Sequence, residues 1–158
     1  MLAVDFTSVV VAIHVMAVVA AFGVTFAYPV FLPYLRRNHP QVMPAVHEAQ
    51  GLVSSRLIMP GMAVILIAGI YLASKLDVWS EVWVTVPLVI LLIIGGLGGM
   101  FFTPNERRLT ELARRDLDAG GELGPEYAAL FSRVAIVAAA CSGLVLVAIF
   151  FMVAKPGA

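Results

Sequence analysis

Few side chains in this 158-residue chain are placed to do chemistry. His14 is the one ionisable residue deep inside an uncharged stretch. An imidazole there either hydrogen-bonds to a neighbouring helix or ligates a haem or a metal. His39 and His47 lie too far along the chain to share a haem with it. A second axial ligand would come from a methionine or from another subunit. Met59 and Met62 stand three apart on one helix face, and Cys141 falls at a similar depth in a later stretch. Soft sulfur ligands suit Cu(I), although methionine also fills ordinary cores. Arg56 and Arg133 occupy matched edges of two apolar stretches. They either snorkel to lipid phosphates or together hold an anionic lipid head group or organic anion. The chain carries no H-E-x-x-H, no Ser-His-Asp set at a common depth and no carboxylate pair within an apolar stretch. Gly95 to Gly99 falls mid-helix and is no phosphate loop. These patterns read as a non-enzyme.

Composition decides the environment in which those residues work. Hydrophobic residues make up 61% of the chain and charged ones 13%, with Lys plus Arg (10) balancing Asp plus Glu (10). Mean hydropathy is +0.99. A soluble domain is about half apolar and about a quarter charged, and a chain this short could not hide the excess. A soluble enzyme, a nucleic-acid binder and a disordered chain are excluded. A single cysteine excludes an internal disulfide framework.

The charges leave four apolar stretches. They hold 30 residues between Asp5 and Arg36, 18 between Arg56 and Lys75, 24 between Glu81 and Glu106, and 21 between Arg133 and Lys155. About 20 apolar residues cross a bilayer as a helix. The expected spans lie near 8–32, 55–74, 82–102 and 132–154. Val9 to Val11 would favour a strand in water, but in lipid the backbone must pair with itself. No Lys or Arg precedes Arg36, and the first stretch is too long for a signal peptide, so it reads as a retained span. The fold class is all-α: a polytopic four-helix transmembrane bundle forming one domain, 1–158.

Basic residues orient the bundle. Eight arginines flank the two connections between spans one and two and between spans three and four. The other side holds only Lys75 and Lys155. Both termini are expected outside. Trp79 and Trp83 would mark the outer interface, and Tyr34 and Tyr127 the inner one. The segment Phe31 to Arg37 matches Phe102 to Arg108 as F-x-P-x-x-R-R, and Ser55-Arg56 matches Ser132-Arg133. The chain therefore reads as two tandem hairpins, a pseudo-repeat of 1–76 and 77–158 about an axis along the membrane normal.

Helical extensions should protrude on the cytoplasmic side. Thr103-Pro104-Asn105-Glu106 reads as a capping box, followed by a helix with Leu109, Leu112 and Ala113 on one face. Glu111 and Arg115 are spaced to pair. Gly120-Gly121 should end that helix, and Gly124-Pro125 should start the next. Asn38 reads as a cap, with Pro40 in the first turn after it. Pro60 frees the carbonyl of Arg56, so a kink is expected there. Small residues permit close helix approach in lipid. Gly95 and Gly99 on span three, and Ala135, Ala139 and Gly143 on span four, are the expected packing positions, within the bundle or at a homodimer seam.

The segment Ile13-His14-Val15-Met16 through Ala21-Phe22-Gly23-Val24-Thr25-Phe26-Ala27-Tyr28-Pro29 resembles a bacterial family of small, four-span integral membrane proteins of unknown function. That family is distantly similar to the membrane part of copper-resistance protein D, which begins with a histidine in its first span followed by a glycine. The resemblance implies a bacterial plasma membrane and draws attention to His14. The sequence thus leads to a small oligomeric or accessory subunit of a membrane complex, surrounded by lipid. The alternatives are a haem or copper protein using His14, and a small-solute or ion transporter. Reporters active only in the cytoplasm, fused to either terminus, should stay silent; activity at either end contradicts the orientation.

Overall fold

The computed structural model describes residues 5–157. Four helices carry the chain: α1 (Phe6–Asn38), α2 (Pro40–Leu76), α3 (Val82–Gly120) and α4 (Pro125–Ala154). Each contains a stretch long and apolar enough to cross a membrane. No strand occurs among the described residues. The Asp5 side chain caps α1 by accepting from Thr7 N at 3.3 Å. Asp77 (φ 53°) and Lys155 (φ 45°) turn left-handed to end α2 and α4. Gly121 does the same for α3, at φ 79°. There glycine avoids the clash an L side chain would meet. Gly124 and Pro125 start α4 as the sequence indicates.

α1 packs along α2, and α3 along α4. Phe22, Met62, Ile65, Ile90, Ile94 and Val145 form the core where the two hairpins meet. The tightest approach is between α1 and α2. A Cβ on Gly61 would lie 2.8 Å from Ala21 Cβ, closer than real side chains come. Gly95 faces α2 as well, since a Cβ there would lie 3.1 Å from Met62 Cε. At Gly99 and Gly143 an added Cβ would meet nothing within 4 Å. Ala135, Ala139 and Gly143 are exposed on α4.

The end bearing the arginines has its own small core. The α2 and α3 extensions pack on each other and on the start of α4. Met43, Leu109, Leu112, Ala113, Tyr127 and Phe131 are buried there. The expected apolar face of the α3 extension is confirmed by Leu109, Leu112 and Ala113. Its ion pairs differ from those the spacing predicts. Glu111 pairs with Arg108 at 3.4 Å, while Arg115 binds Glu126 at 2.9 Å and Asp116 at 2.8 Å. Asp116 also accepts from Gly124 N at 2.8 Å, so Arg115 is drawn toward the α3–α4 turn. Arg115 and the Gly124 N–H hold the Asp116 carboxyl below its usual range. Glu48 on α2 pairs with Arg114 on α3.

Three of the four helices depart from α geometry. α1 tightens to a 3₁₀ turn over Gly23–Phe26. α2 widens to a π turn over Ser54–Ile58, and α3 to another over Gly98–Phe102. Each break lies just before a proline: Pro29, Pro60 and Pro104. A proline supplies no N–H to the preceding turn. The kink expected at Pro60 takes the form of the π turn. The capping box at Thr103 does not form, because α3 runs through it unbroken. Thr103 Oγ1 instead donates back to Gly98 O at 2.9 Å, covering a carbonyl of the π turn. Asn38 likewise caps nothing ahead of it; its side chain donates to Tyr34 O at 2.9 Å.

The Gly61–Ala21 contact generates a test. Gly61→Leu should separate α1 from α2 and lower the melting temperature strongly, by the equivalent of about 2 kcal/mol or more. Gly99→Ala should leave the melting temperature of the monomer unchanged. Equal effects of the two substitutions in a thermal melt would contradict this packing.

Candidate functional site

Two cavities lie between the hairpins. The larger, about 470 Å³, occupies the half of the bundle near the termini. All four helices line it, through His14, Gly69, Trp83, Pro87, Ile149 and Met152 among others. Its wall is almost wholly apolar. Two buried polar atoms on its lining residues lack a hydrogen bond of good geometry: Trp83 Nε1, and His14 Nδ1, whose ring has the Ile65 backbone as its nearest polar neighbour. Leaving such an atom unpaired away from water costs roughly 1–3 kcal/mol. Gly69 makes room for the imidazole; a Cβ there would lie 3.3 Å from His14 Cε1. The polar neighbours expected for His14 are engaged elsewhere. Tyr71 packs edge-on against Phe6, 5.8 Å between centroids. Thr85 Oγ1 turns back to Glu81 O at 3.3 Å on its own helix. At the rim, Lys155 Nζ sits 4.8 Å from the centre of the Trp83 ring. Trp79 Nε1 donates to Ser74 Oγ at 3.2 Å.

The smaller cavity, about 130 Å³, lies toward the basic end. Residues of all three helix breaks line it: Thr25 beside Tyr28, Ser54 with Ile58, and Gly98 with Phe102. Hydroxyls cover the carbonyls that the breaks release. Thr25 Oγ1 donates to Phe22 O at 2.7 Å, and Ser55 Oγ to Gly51 O at 2.9 Å. Met59, Met62 and Cys141 all line this chamber, so the three sulfurs singled out in the sequence do share one space. No group of three or more His, Cys, Asp or Glu arranged to hold a metal occurs among the described residues.

The polar groups of this chamber are those that spacing did not reveal. His47 is 2% exposed. Its Nδ1 donates to Gln50 Oε1 and its Nε2 accepts from the Tyr127 hydroxyl, each at 2.9 Å. Burial lowers the His47 pKa, against the opposing effect of the Gln50 contact, and favours the neutral ring. Tyr127 is wholly buried, so it does not mark a lipid interface as its type and position suggest. Glu106 stands one turn beyond the 82–102 span. Its carboxylate makes no hydrogen bond or ion pair with the described residues, and burial pushes its pKa up to about 7. Gly51 gives it space; a Cβ there would lie 3.9 Å from Glu106 Oε2. The nearby Tyr28 hydroxyl is buried and also unpartnered.

The two arginines matched by sequence do not converge on a ligand. Arg133 lies 5.7 Å from the centre of the Phe101 ring, and Arg56 is exposed. The cation that does reach the chamber wall is Arg36, 4.7 Å from the centre of the Phe131 ring. His47 went unrecognised because its partner Tyr127 is 80 residues away. Glu106 went unrecognised because Thr103-x-x-Glu106 has the form of a helix start.

A helical membrane protein with four candidate spans and internal cavities is the class that this fold defines. Residues 8–156 match the family described as predicted integral membrane protein (DUF2269), and the chain belongs to it. No curated protein and no solved structure matches the chain.

Two outcomes follow from the polar chamber. Tyr127→Phe strands His47 Nε2 and should cost about 1–3 kcal/mol in a denaturation series. Glu106 binds its proton more tightly folded than unfolded. Stability therefore falls as pH rises from its ordinary value of 4.5 toward about 7, then levels off. Glu106→Gln should raise the melting temperature above neutrality, by the equivalent of about 1–2 kcal/mol once solvent screening of this part-exposed group is allowed for. The gain should vanish toward the ordinary carboxyl range. A gain independent of pH would contradict this.

Proposed function

We propose that the protein is a non-catalytic binding protein of the membrane, which holds an apolar, bilayer-soluble molecule in the cavity beside His14. The observation that carries this reading is the pairing of an apolar space of about 470 Å³ with two polar side chains in its wall, His14 and the unpartnered Trp83 Nε1. Ligand sites commonly combine an apolar wall with a few fixed polar groups. Trp83 can only donate, so a ligand that reaches its covered Nε1 would carry a hydrogen-bond acceptor, such as a carbonyl. The arginine asymmetry supports placing both termini outside, and the resemblance to a bacterial family supports a bacterial plasma membrane. The matched proline and arginine segments support two tandem hairpins.

The outward-facing Ala139 and Gly143 favour a second reading, in which the binding unit is an oligomer or an accessory subunit of a larger complex. Haem is the metal-containing alternative for the same cavity, with His14 and Met152 both on its wall. Copper would instead use the sulfurs of the smaller chamber.

Organic extracts of the purified protein test the main reading. The wild type should yield a stoichiometric apolar molecule. Gly69→Leu, which fills the space beside His14, should yield none while the protein remains folded. Identical extracts would contradict the reading, and a Soret band would transfer the cavity to haem.

A further inference from the structure

The small chamber between the three helix breaks poses a separate problem. It places one carboxylate, Glu106, in a largely apolar space where no cation among the described residues pairs with it. The surrounding groups do not supply one. On α1, the Tyr28 hydroxyl is neutral and unpartnered, and Arg36 is stacked on Phe131. On α2, His47 is committed to Gln50 and Tyr127, and Arg56 is exposed. On α4, Tyr127 is held by His47, Arg133 lies over Phe101, and Cys141 lines the far wall. On α3 itself, Arg108 is drawn to Glu111 and Glu126. A half-buried carboxylate in that position must either stay protonated or accept a cation from outside.

We propose that the chamber is a binding site for a small organic ammonium ion, with the Glu106 carboxylate as its counter-charge. The lining selects this chemistry over a metal ion. Hard alkali or alkaline-earth cations need about six oxygen ligands, and most of this wall is carbon and sulfur. Phe22, Tyr28 and Phe102 contribute aromatic surface, to which alkylammonium groups are attracted. The space of about 130 Å³ is much the smaller of the two, which favours a compact cation over a long-chain one. The Tyr28 hydroxyl is left free to bond to the Glu106 carboxyl when it is protonated, or to the carboxylate when the cation is bound. The cation and the proton therefore compete for one carboxylate, and binding strengthens as the proton leaves. This site is independent of the His14 cavity, and its test leaves that reading untouched.

Calorimetry on the full-length protein in detergent, with tetramethylammonium as the probe and tert-butanol as the neutral compound of similar shape, tests the proposal. Saturable binding of tetramethylammonium alone is expected. Its affinity should rise about tenfold between pH about 6 and about 8, as a group titrating near neutrality becomes charged. Glu106→Gln should abolish binding. Glu106→Asp, which keeps the charge but draws it back, should weaken binding and keep the pH dependence, with circular dichroism showing both variants folded. No binding to the wild type, equal binding of tert-butanol, affinity independent of pH, or unchanged binding in Glu106→Gln would each overturn the proposal.

Discussion

Hydrocarbon offers no hydrogen bonds, so every backbone group inside it must find a partner within the protein. That constraint makes each of the four stretches a helix, despite β-branched runs such as Val9 to Val11. It also makes each departure from α geometry informative. A break can persist at membrane depth only where its loosened groups face protein or a cavity. All three breaks in this bundle contribute residues to one chamber. Each has a hydroxyl at hand: Thr25, Ser55 or Thr103 covers a carbonyl of its own helix. α4 has no proline beyond Pro125 and runs unbroken for 30 residues.

The packing follows from where the helices can approach closely. Gly61 lets α2 lie against Ala21 of α1 and seals the first hairpin. The extensions are joined by a core around Tyr127 and by the Glu48–Arg114 pair, which ties α2 to α3. Between those fixed points the hairpins meet less completely, and the space between them becomes two cavities of different character. One is apolar, with His14 and Trp83 in its wall. The other holds a carboxylate, a buried imidazole and the Tyr28 hydroxyl. The two sites share the helices but not their chemistry.

Much of the architecture was legible in the sequence because it depends on length and charge alone. The four apolar stretches, the left-handed stop at Gly121 and the buried face of Leu109, Leu112 and Ala113 all follow from local rules. His14 was legible as an isolated imidazole, but its surroundings were not, because Gly69 meets it from another helix. The polar chamber was not legible for the same reason. Glu106 looked like half of a capping box, since nothing local reveals that α3 continues through Thr103 as a π turn. Tyr127 looked like an interface aromatic, since its contact with His47 crosses the bundle. Charge spacing predicted Glu111 with Arg115, yet Arg115 is claimed by Asp116 and Glu126 across a turn.

The central claim is that the helix breaks face a shared interior chamber and not lipid. Thiol accessibility tests it most directly, in a Cys141→Ser background reconstituted in bilayers. Ser54→Cys places a thiol on the chamber wall, and Ile136→Cys places one on the outer face of α4, where Ile136 is 70% exposed. A small water-soluble thiol reagent should modify Ser54→Cys, and tetramethylammonium should slow that reaction. Ile136→Cys should stay unmodified within hydrocarbon. Modification of Ile136→Cys with Ser54→Cys inert would contradict the account.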